Sequence, residues 1–303
     1  MAHHRIVVGI DGSPVAREAL RWATRLAARL EDELVVVHAL GLLEPLHGDL
    51  VPAHRHLAQI CEVMEDEWCA PLARGHVPYR TVVREGHPVD VLGAVAVEEE
   101  ARLLVVGSRG MGDTPDLVLG STSLALLRQA PVPVLVVPDR EQAGRHLGLH
   151  RIVVALDGSP EGTAAVDAAV RLAEGFGSHI ELVRAVEELP VFPLGPAARL
   201  TSEGEWEAPQ RARRQAEPLC AAVRRHHVPV HLAVQRGAAE EVVRSVAARL
   251  DADLVVTASR HAAHPDEDLL DSVSRRIVRV AHRPTLVVPL PVFATPPSAT
   301  ADA

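Results

Sequence analysis

The 303-residue chain contains no lysine, so all 31 of its basic side chains are arginines. That absence excludes the Gly-x4-Gly-Lys-Ser/Thr phosphate loop, which needs a lysine to reach the outer phosphates. Acidic residues number 40 and the formal net charge is −9. With no basic block against that background, neither nucleic acid nor an anionic membrane surface is expected as a main partner. Aromatic residues make up only 2 % of the chain. A core must then be built from Val, Leu, Ala and Ile, which suits buried parallel strands and the helices that cover them. The three cysteines, Cys61, Cys69 and Cys220, form no Cys-x-x-Cys pair, as expected of reduced thiols. No apolar run approaches the ~18 residues that a membrane-spanning helix needs. Met1-Ala2-His3-His4-Arg5 enters a strand with no signal-peptide apolar segment, so a cytoplasmic location is expected. No Gly-x-Ser-x-Gly elbow is present, which argues against that class of hydrolase.

What the chain does contain is written twice. Arg5-Ile6-Val7-Val8-Gly9-Ile10-Asp11-Gly12-Ser13-Pro14 returns as Arg151-Ile152-Val153-Val154-Ala155-Leu156-Asp157-Gly158-Ser159-Pro160, identical at eight of ten positions. Pro133-Val134-Leu135-Val136-Val137-Pro138 returns as Pro284-Thr285-Leu286-Val287-Val288-Pro289. A period this long marks a duplicated domain rather than a solenoid. Domains are expected at 1–140 and 150–290, with Pro138 to His150 as linker and 291–303 as a tail. In the first copy, strands are expected near 6–10, 34–40, 79–84, 103–106 and 134–137, and helices over 14–30, 54–74, 89–101 and 121–130. Gly41 to Pro52 reads as loop. The second copy places strands near 151–156, 179–185, 229–235, 254–257 and 285–288. This alternation predicts an α/β fold, a parallel sheet with helices on both faces in each copy.

The most informative stretch runs from Gly107 to Ser123. After the apolar run Leu103-Leu104-Val105-Val106 come Gly107-Ser108-Arg109-Gly110, nine residues, then Gly120-Ser121-Thr122-Ser123 and a helix-like run. Glycines at 107 and 110 allow close approach of a ligand and positive φ. Ser121 stands where a helix N-cap is expected, so free amides and the positive end of the helix would face one pocket. Such a pocket binds anions, phosphate above all. Gly-x-x-Gly, nine residues, Gly-Ser resembles the nucleotide-binding signature of the universal stress protein family, ATP-binding branch, through Gly107, Gly110, Gly120 and Ser121. The matching strand-one and strand-five phrases extend the resemblance over about residues 5–289.

The resemblance implies two Rossmann-like, doubly wound domains in tandem, each with strand order 3-2-1-4-5. Strands one and four would then be neighbours where strand order reverses, the place where such sheets bind ligands. Asp11 and Gly107 follow those two strands, so Asp11-Gly12-Ser13 and the glycine motif would meet there. A strand-end carboxylate at Asp11 suits ribose hydroxyls. The family reads the adenine edge with backbone at the end of strand two, which implies Ala39. Gly107 and Gly110 would meet ribose and phosphates, and Gly120, Ser121 and Thr122 would donate to the outer phosphates. Arg109 could add positive charge. Because no lysine shares the triphosphate's charge, ATP would need a divalent ion, Mg²⁺, with Asp113 and Asp116 as water-mediated partners. In the second copy the glycines become Ala258, His261 and Asp271, and only Ser272 survives. A carboxylate at 271 would repel phosphate, so the second copy is not expected to bind ATP in the same way. The Ser-Gly-Gly-x-Asp-Ser loop of related pyrophosphatases is replaced by Asp11-Gly12-Ser13-Pro14, so adenylating chemistry is not expected.

The resemblance thus implies an ATP-binding stress-response regulator. Slow ATP hydrolysis or phosphotransfer, and a nucleotide-free scaffold, stand as alternatives. The fifth strands are expected to pair the two copies as a pseudo-dimer, with a homodimer as a further possibility. The histidines at 47, 54 and 56, and at 226 and 227, lack the tight Cys or carboxylate spacing of a zinc site. Glu98-Glu99-Glu100 reads as a solvated helix end.

Overall fold

The computed structural model describes residues 4–41, 43–46, 49–73, 75–110, 118–139, 148–158, 162–186, 198–260 and 273–290. In the first half the strands are β1 (Arg5–Gly9), β2 (Glu33–Leu40), β3 (Leu43–Leu46), β4 (Asp49–Pro52), β5 (Tyr79–Glu85), β6 (Ala101–Gly107) and β7 (Val134–Val137). The helices are α1 (Pro14–Leu30), α2 (Ala53–Val63), α3 (Ala70–Ala73), α4 (Pro88–Glu98) and α5 (Ser121–Gln129), with a π-helical turn at Met64–Trp68 between α2 and α3. The second half comprises β8 (Arg151–Leu156), α6 (Thr163–Phe176), β9 (His179–Val186), α7 (Ala198–Arg225), β10 (Val230–Arg236), α8 (Ala239–Arg249), β11 (Leu254–Arg260), α9 (Val273–Val280) and β12 (Thr285–Leu290).

Ten strands form one sheet in the order β10-β9-β8-β11-β12-β7-β6-β1-β2-β5. Each half therefore contributes five strands in the order 3-2-1-4-5, and within a half all pairs of this sheet are parallel. The halves join through β7 and β12, which pair antiparallel with Leu135 opposite Leu286. The expected pairing of the fifth strands is thus present within the chain. The central strands are buried on both faces: Val134 to Val137 and Thr285 to Val288 are all enclosed, as parallel-sheet interiors demand.

Local chemistry explains the elements that frame the crevice. Helix α1 starts where Ser13 caps it, its hydroxyl accepting from the Ala16 amide at 3.1 Å, with Pro14 in the first turn. Its buried stripe includes Val15, Ala19, Trp22, Ala23 and Leu26. That 3.6-residue spacing lays one face on the sheet. Val15 and Leu26 each gain about 1.5–3 kcal/mol on burial. The C-terminal end of α1 also reaches the other half, where Arg29 donates to the Gly175 carbonyl and Leu30 packs on Gly175.

Two expectations differ from the structure. The stretch expected to be loop over 41–52 contains the antiparallel pair β3 and β4, with Leu43 opposite Pro52 and Leu46 opposite Asp49. Proline at a strand edge keeps its missing N–H out of the ladder, so Pro45 and Pro52 do not prevent it. The continuous helix expected over 54–74 is interrupted by the π-helical turn at Met64–Trp68. Such turns shift the facing of side chains, and this one directs Trp68 toward the strand ends.

Candidate functional site

The crevice of the first half lies where strand order reverses, between β1 and β6, which pair directly at Val8 and Val105. At the β1 end, the chain turns through Asp11, whose Oδ1 accepts from the Ser13 amide at 3.0 Å. Gly12 sits at φ 81°, a left-handed conformation that glycine adopts without strain. A Cβ at this position would lie 2.7 Å from Cζ2 of Trp68. Ser13 is buried and its hydroxyl is spent on capping α1. Of this trio, Asp11 keeps a half-exposed carboxylate at the strand end.

At the β6 end the geometry is tighter than the motif alone suggests. The Ser108 amide donates to the Val137 carbonyl at 2.7 Å, and the Ser108 carbonyl accepts from the Gly120 amide at 2.7 Å. It also accepts from the buried Ser123 hydroxyl at 2.8 Å. The strand end and the helix start are therefore tied together on either side of residues 111–117, which lie outside the described residues along with Asp113 and Asp116. Arg109 turns toward the end of β7 and meets Asp139, Nη2 to Oδ2 3.5 Å.

Three details of the expected motif are corrected. The N-cap of α5 is Gly120, at φ −76° and ψ 165°, and Ser121 is the first helical residue. Gly120 can take this extended conformation while its amide reaches Ser108. Its N–H is thereby committed, and the amides of Ser121 and Thr122, which follow it, belong to the first turn whose N–H groups have no partner within the helix. Positive φ is not what Gly107 and Gly120 supply: Gly107 is absent from the positive-φ residues and Gly120 is at −76°. Gly107 is needed for packing instead. A Cβ there would lie 3.0 Å from Cγ1 of Val15 and 3.2 Å from its carbonyl carbon, so the first turn of α1 would have to give by a few tenths of an ångström to lie against β6.

Strand β2 brings a third wall. Ala39 is half-buried opposite Arg84 of β5. Beside it His38 is 3 % exposed, and its Nδ1 stands 2.8 Å from the Ile10 carbonyl. A carbonyl only accepts, so Nδ1 carries the proton. The imidazole meets Trp68 edge-to-face, ring centres 5.1 Å apart at 74°, a favoured aromatic geometry. Sequence reasoning passed over both side chains. The available signal was a tryptophan within the acidic run Glu65-Asp66-Glu67, in a chain with only three tryptophans.

In the second half, Asp157 and Gly158 repeat the turn, with Gly158 at φ 79°. Among the described residues the imidazole–indole pair does not recur. Arg184 of β9 lies across Gly158 and donates from Nη1 to the Leu156 carbonyl at 3.2 Å, the counterpart of the His38 contact. The residues His261, Asp271 and Ser272 lie outside the described residues. Among the described residues, no group of three or more His, Cys, Asp or Glu side chains could hold a metal ion, and no helix is long and apolar enough to cross a membrane.

Comparison with known proteins agrees with this architecture. Over most of its length the chain is similar to a universal stress protein of Mycolicibacterium smegmatis, 29 % identical over 299 residues, covering 93 % of this chain and 96 % of that protein. A universal stress protein of Mycobacterium tuberculosis is 29 % identical over 304 residues, covering 93 % and 95 %. The crystal structure of a universal stress protein from Archaeoglobus fulgidus shares the fold, with a TM-score of 0.66 at 17 % identity, covering 94 % of this chain and 96 % of that one. The model of the universal stress protein family matches twice, at residues 2–138 and 148–289. Two copies of its fold, joined edge to edge in one chain, make this protein a member of the universal stress protein family.

Proposed function

We propose that the first half binds an adenine nucleotide, ATP, in the crevice between β1 and β6, and that the protein acts as a nucleotide-responsive regulator. One observation carries the reading. Two motifs nearly a hundred residues apart, Asp11-Gly12-Ser13 and Gly107-Ser108-Arg109-Gly110, follow the carboxyl ends of adjacent strands, where doubly wound sheets take ligands. The residues present fit a phosphorylated ligand. The amides of Ser121 and Thr122 open the nine-residue helix α5, and such a terminus attracts negative charge. Asp11 offers a carboxylate to ribose hydroxyls. Ala39 stands at the strand end where main-chain groups would read the base, with Trp68 and His38 as the neighbouring wall.

Mg²⁺ would be held mainly by the phosphates, since no carboxylate among the described residues of the crevice is placed to join a metal cluster. Its chemistry there would be to share the triphosphate's charge. Among the described residues of the crevice no side chain is placed as a general base, and the reading is of binding rather than turnover. The test is mass spectrometry of nucleotide released from the purified protein, with calorimetric titration of Mg-ATP into the emptied protein. Adenine nucleotide in about molar ratio, and at least tenfold weaker binding in Gly110→Asp, are expected. No heat on titration of a folded protein, or equal affinity in the variant, would overturn the reading.

A further inference from the structure

At the end of the sheet opposite the crevices, the two halves differ in a way that exposes a second kind of site. In the first half the amino ends of β1, β2 and β5 are locked by four charges. Arg5 pairs with Glu33 at 3.3 Å and Glu99 at 3.4 Å, and Arg80 pairs with the same two carboxylates. The strand register identifies the counterparts. Arg151 stands for Arg5, and His179 for Glu33, since each pair is directly opposed. His231 stands for Arg80, because Glu181 and Val35 face them in turn. Leu250 stands for Glu99, its carbonyl accepting from Arg151 Nη1 at 2.5 Å as that of Glu99 does from Arg5.

These exchanges remove two carboxylates and one guanidinium, Glu181 in place of Val35 adds one carboxylate, and the result is a half-open cavity of about 520 Å³. Its polar lining is His150 and Arg151 of the β8 end, His179 and Glu181 of β9, and His231 of β10. Glu181 accepts from or pairs with His231 at 2.8 Å. Beneath them Asp253 accepts the main-chain amides of His150 and Arg151 at 2.7 and 2.9 Å. The ends of α6 and α8 add only Gly177 and Leu250. The floor is apolar, formed by Ile152, Ile180 and Val230.

The imidazoles are too dispersed for one metal ion, as no His, Cys, Asp or Glu trio among the described residues could share one. A ligand that met them all would span several atoms and bring several acceptors. From these observations we infer that the cavity at the amino ends of β8, β9 and β10 binds a multivalent oxyanion of polycarboxylate or polyphosphate type. Imidazoles take up protons between pH 8 and 5. With the three imidazoles neutral, the formal charges of Arg151, Glu181 and Asp253 sum to minus one; with all three protonated the sum is plus two. Binding therefore strengthens as pH falls. The site is separate from the nucleotide crevice and does not depend on it.

The test is calorimetric titration of citrate and, separately, inorganic tripolyphosphate into the full chain at pH 5.5 and 8.0, at constant 0.15 M ionic strength. Tripolyphosphate is measured in the Gly110→Asp variant to silence the crevice. Two-dimensional NMR of the ring protons reports which histidines move. At least tenfold tighter binding of one or both anions at pH 5.5 is expected, with His179 and His231 signals shifting. Which anion binds more tightly identifies the source. Replacing His179→Glu together with His231→Arg returns a carboxylate and a guanidinium to the positions they hold in the first half and is expected to remove binding; His231→Gln alone, with its thermal transition recorded, should weaken it severalfold. No binding at pH 5.5, equal binding at pH 8.0, or binding retained in the double variant would overturn the proposal.

Discussion

Substituting Gly12 isolates how tightly Trp68 closes the base corner of the crevice. Two penalties meet at this residue. An L-residue at φ 81° costs roughly 1–2 kcal/mol against glycine. In addition, the new methyl would arrive 2.7 Å from Cζ2 and 2.8 Å from Cε2 of Trp68, well inside contact distance. Trp68 is held by His38 on one edge, so it cannot turn away cheaply. Overpacking of this kind costs about 1–3 kcal/mol. Gly177 supplies the control: it sits at φ 68°, and a Cβ there would meet nothing within 4 Å. Gly177→Ala should therefore cost only the conformational part, about 1–2 kcal/mol, and Gly12→Ala roughly twice as much. The steric part is read directly by a double-mutant cycle with Trp68→Leu, using chemical denaturation followed by circular dichroism. A coupling of about 1–3 kcal/mol is expected between the two positions. A coupling near zero, or equal costs at Gly12 and Gly177, would refute the claim that the indole packs on this turn.

Burial pushes the Cys69 thiol up to about 11, with Glu65 adding to the shift, so at pH 8 roughly one molecule in a thousand carries the thiolate. Brief treatment of native protein with iodoacetamide at that pH should label the half-buried Cys61 and spare Cys69 and Cys220; peptide mapping that finds Cys69 modified first would contradict the packing. Arg109 is drawn to Asp139 and must leave it to serve a phosphate. Asp139→Ala should thus tighten ATP binding severalfold while Arg109→Ala weakens it, and calorimetry showing both variants shifted the same way would break that account.

The architecture was legible because it is written as repetition and period. The doubled Arg-Ile-Val-Val phrase and the apolar runs could be read directly, and the strand order follows the family resemblance. Asp11 and Gly107 come together as expected because strand pairing brings them together. The reasons for individual residues were less legible. Gly107 looked like a conformational device and is a packing one, since Val15 of another element occupies the space. Ser121 looked like a cap, yet Gly120 takes that role because Ser108, twelve residues earlier, claims its amide. Trp68 reaches the crevice through a π-helical turn, and no local pattern in Met64-Glu65-Asp66-Glu67-Trp68 distinguishes that turn from an ordinary helix. Contacts between distant segments decided all three.

The antiparallel junction of β7 and β12 has a consequence for the fate of a cleaved chain. Cutting between the halves would leave each fragment with an uncovered strand of almost uninterrupted aliphatic residues, Val134-Leu135-Val136-Val137 in one and Thr285-Leu286-Val287-Val288 in the other. Such a naked margin is a template for further strands. An isolated half should accordingly pair with a like fragment or precipitate, so covalent linkage of the copies doubles as protection against self-association.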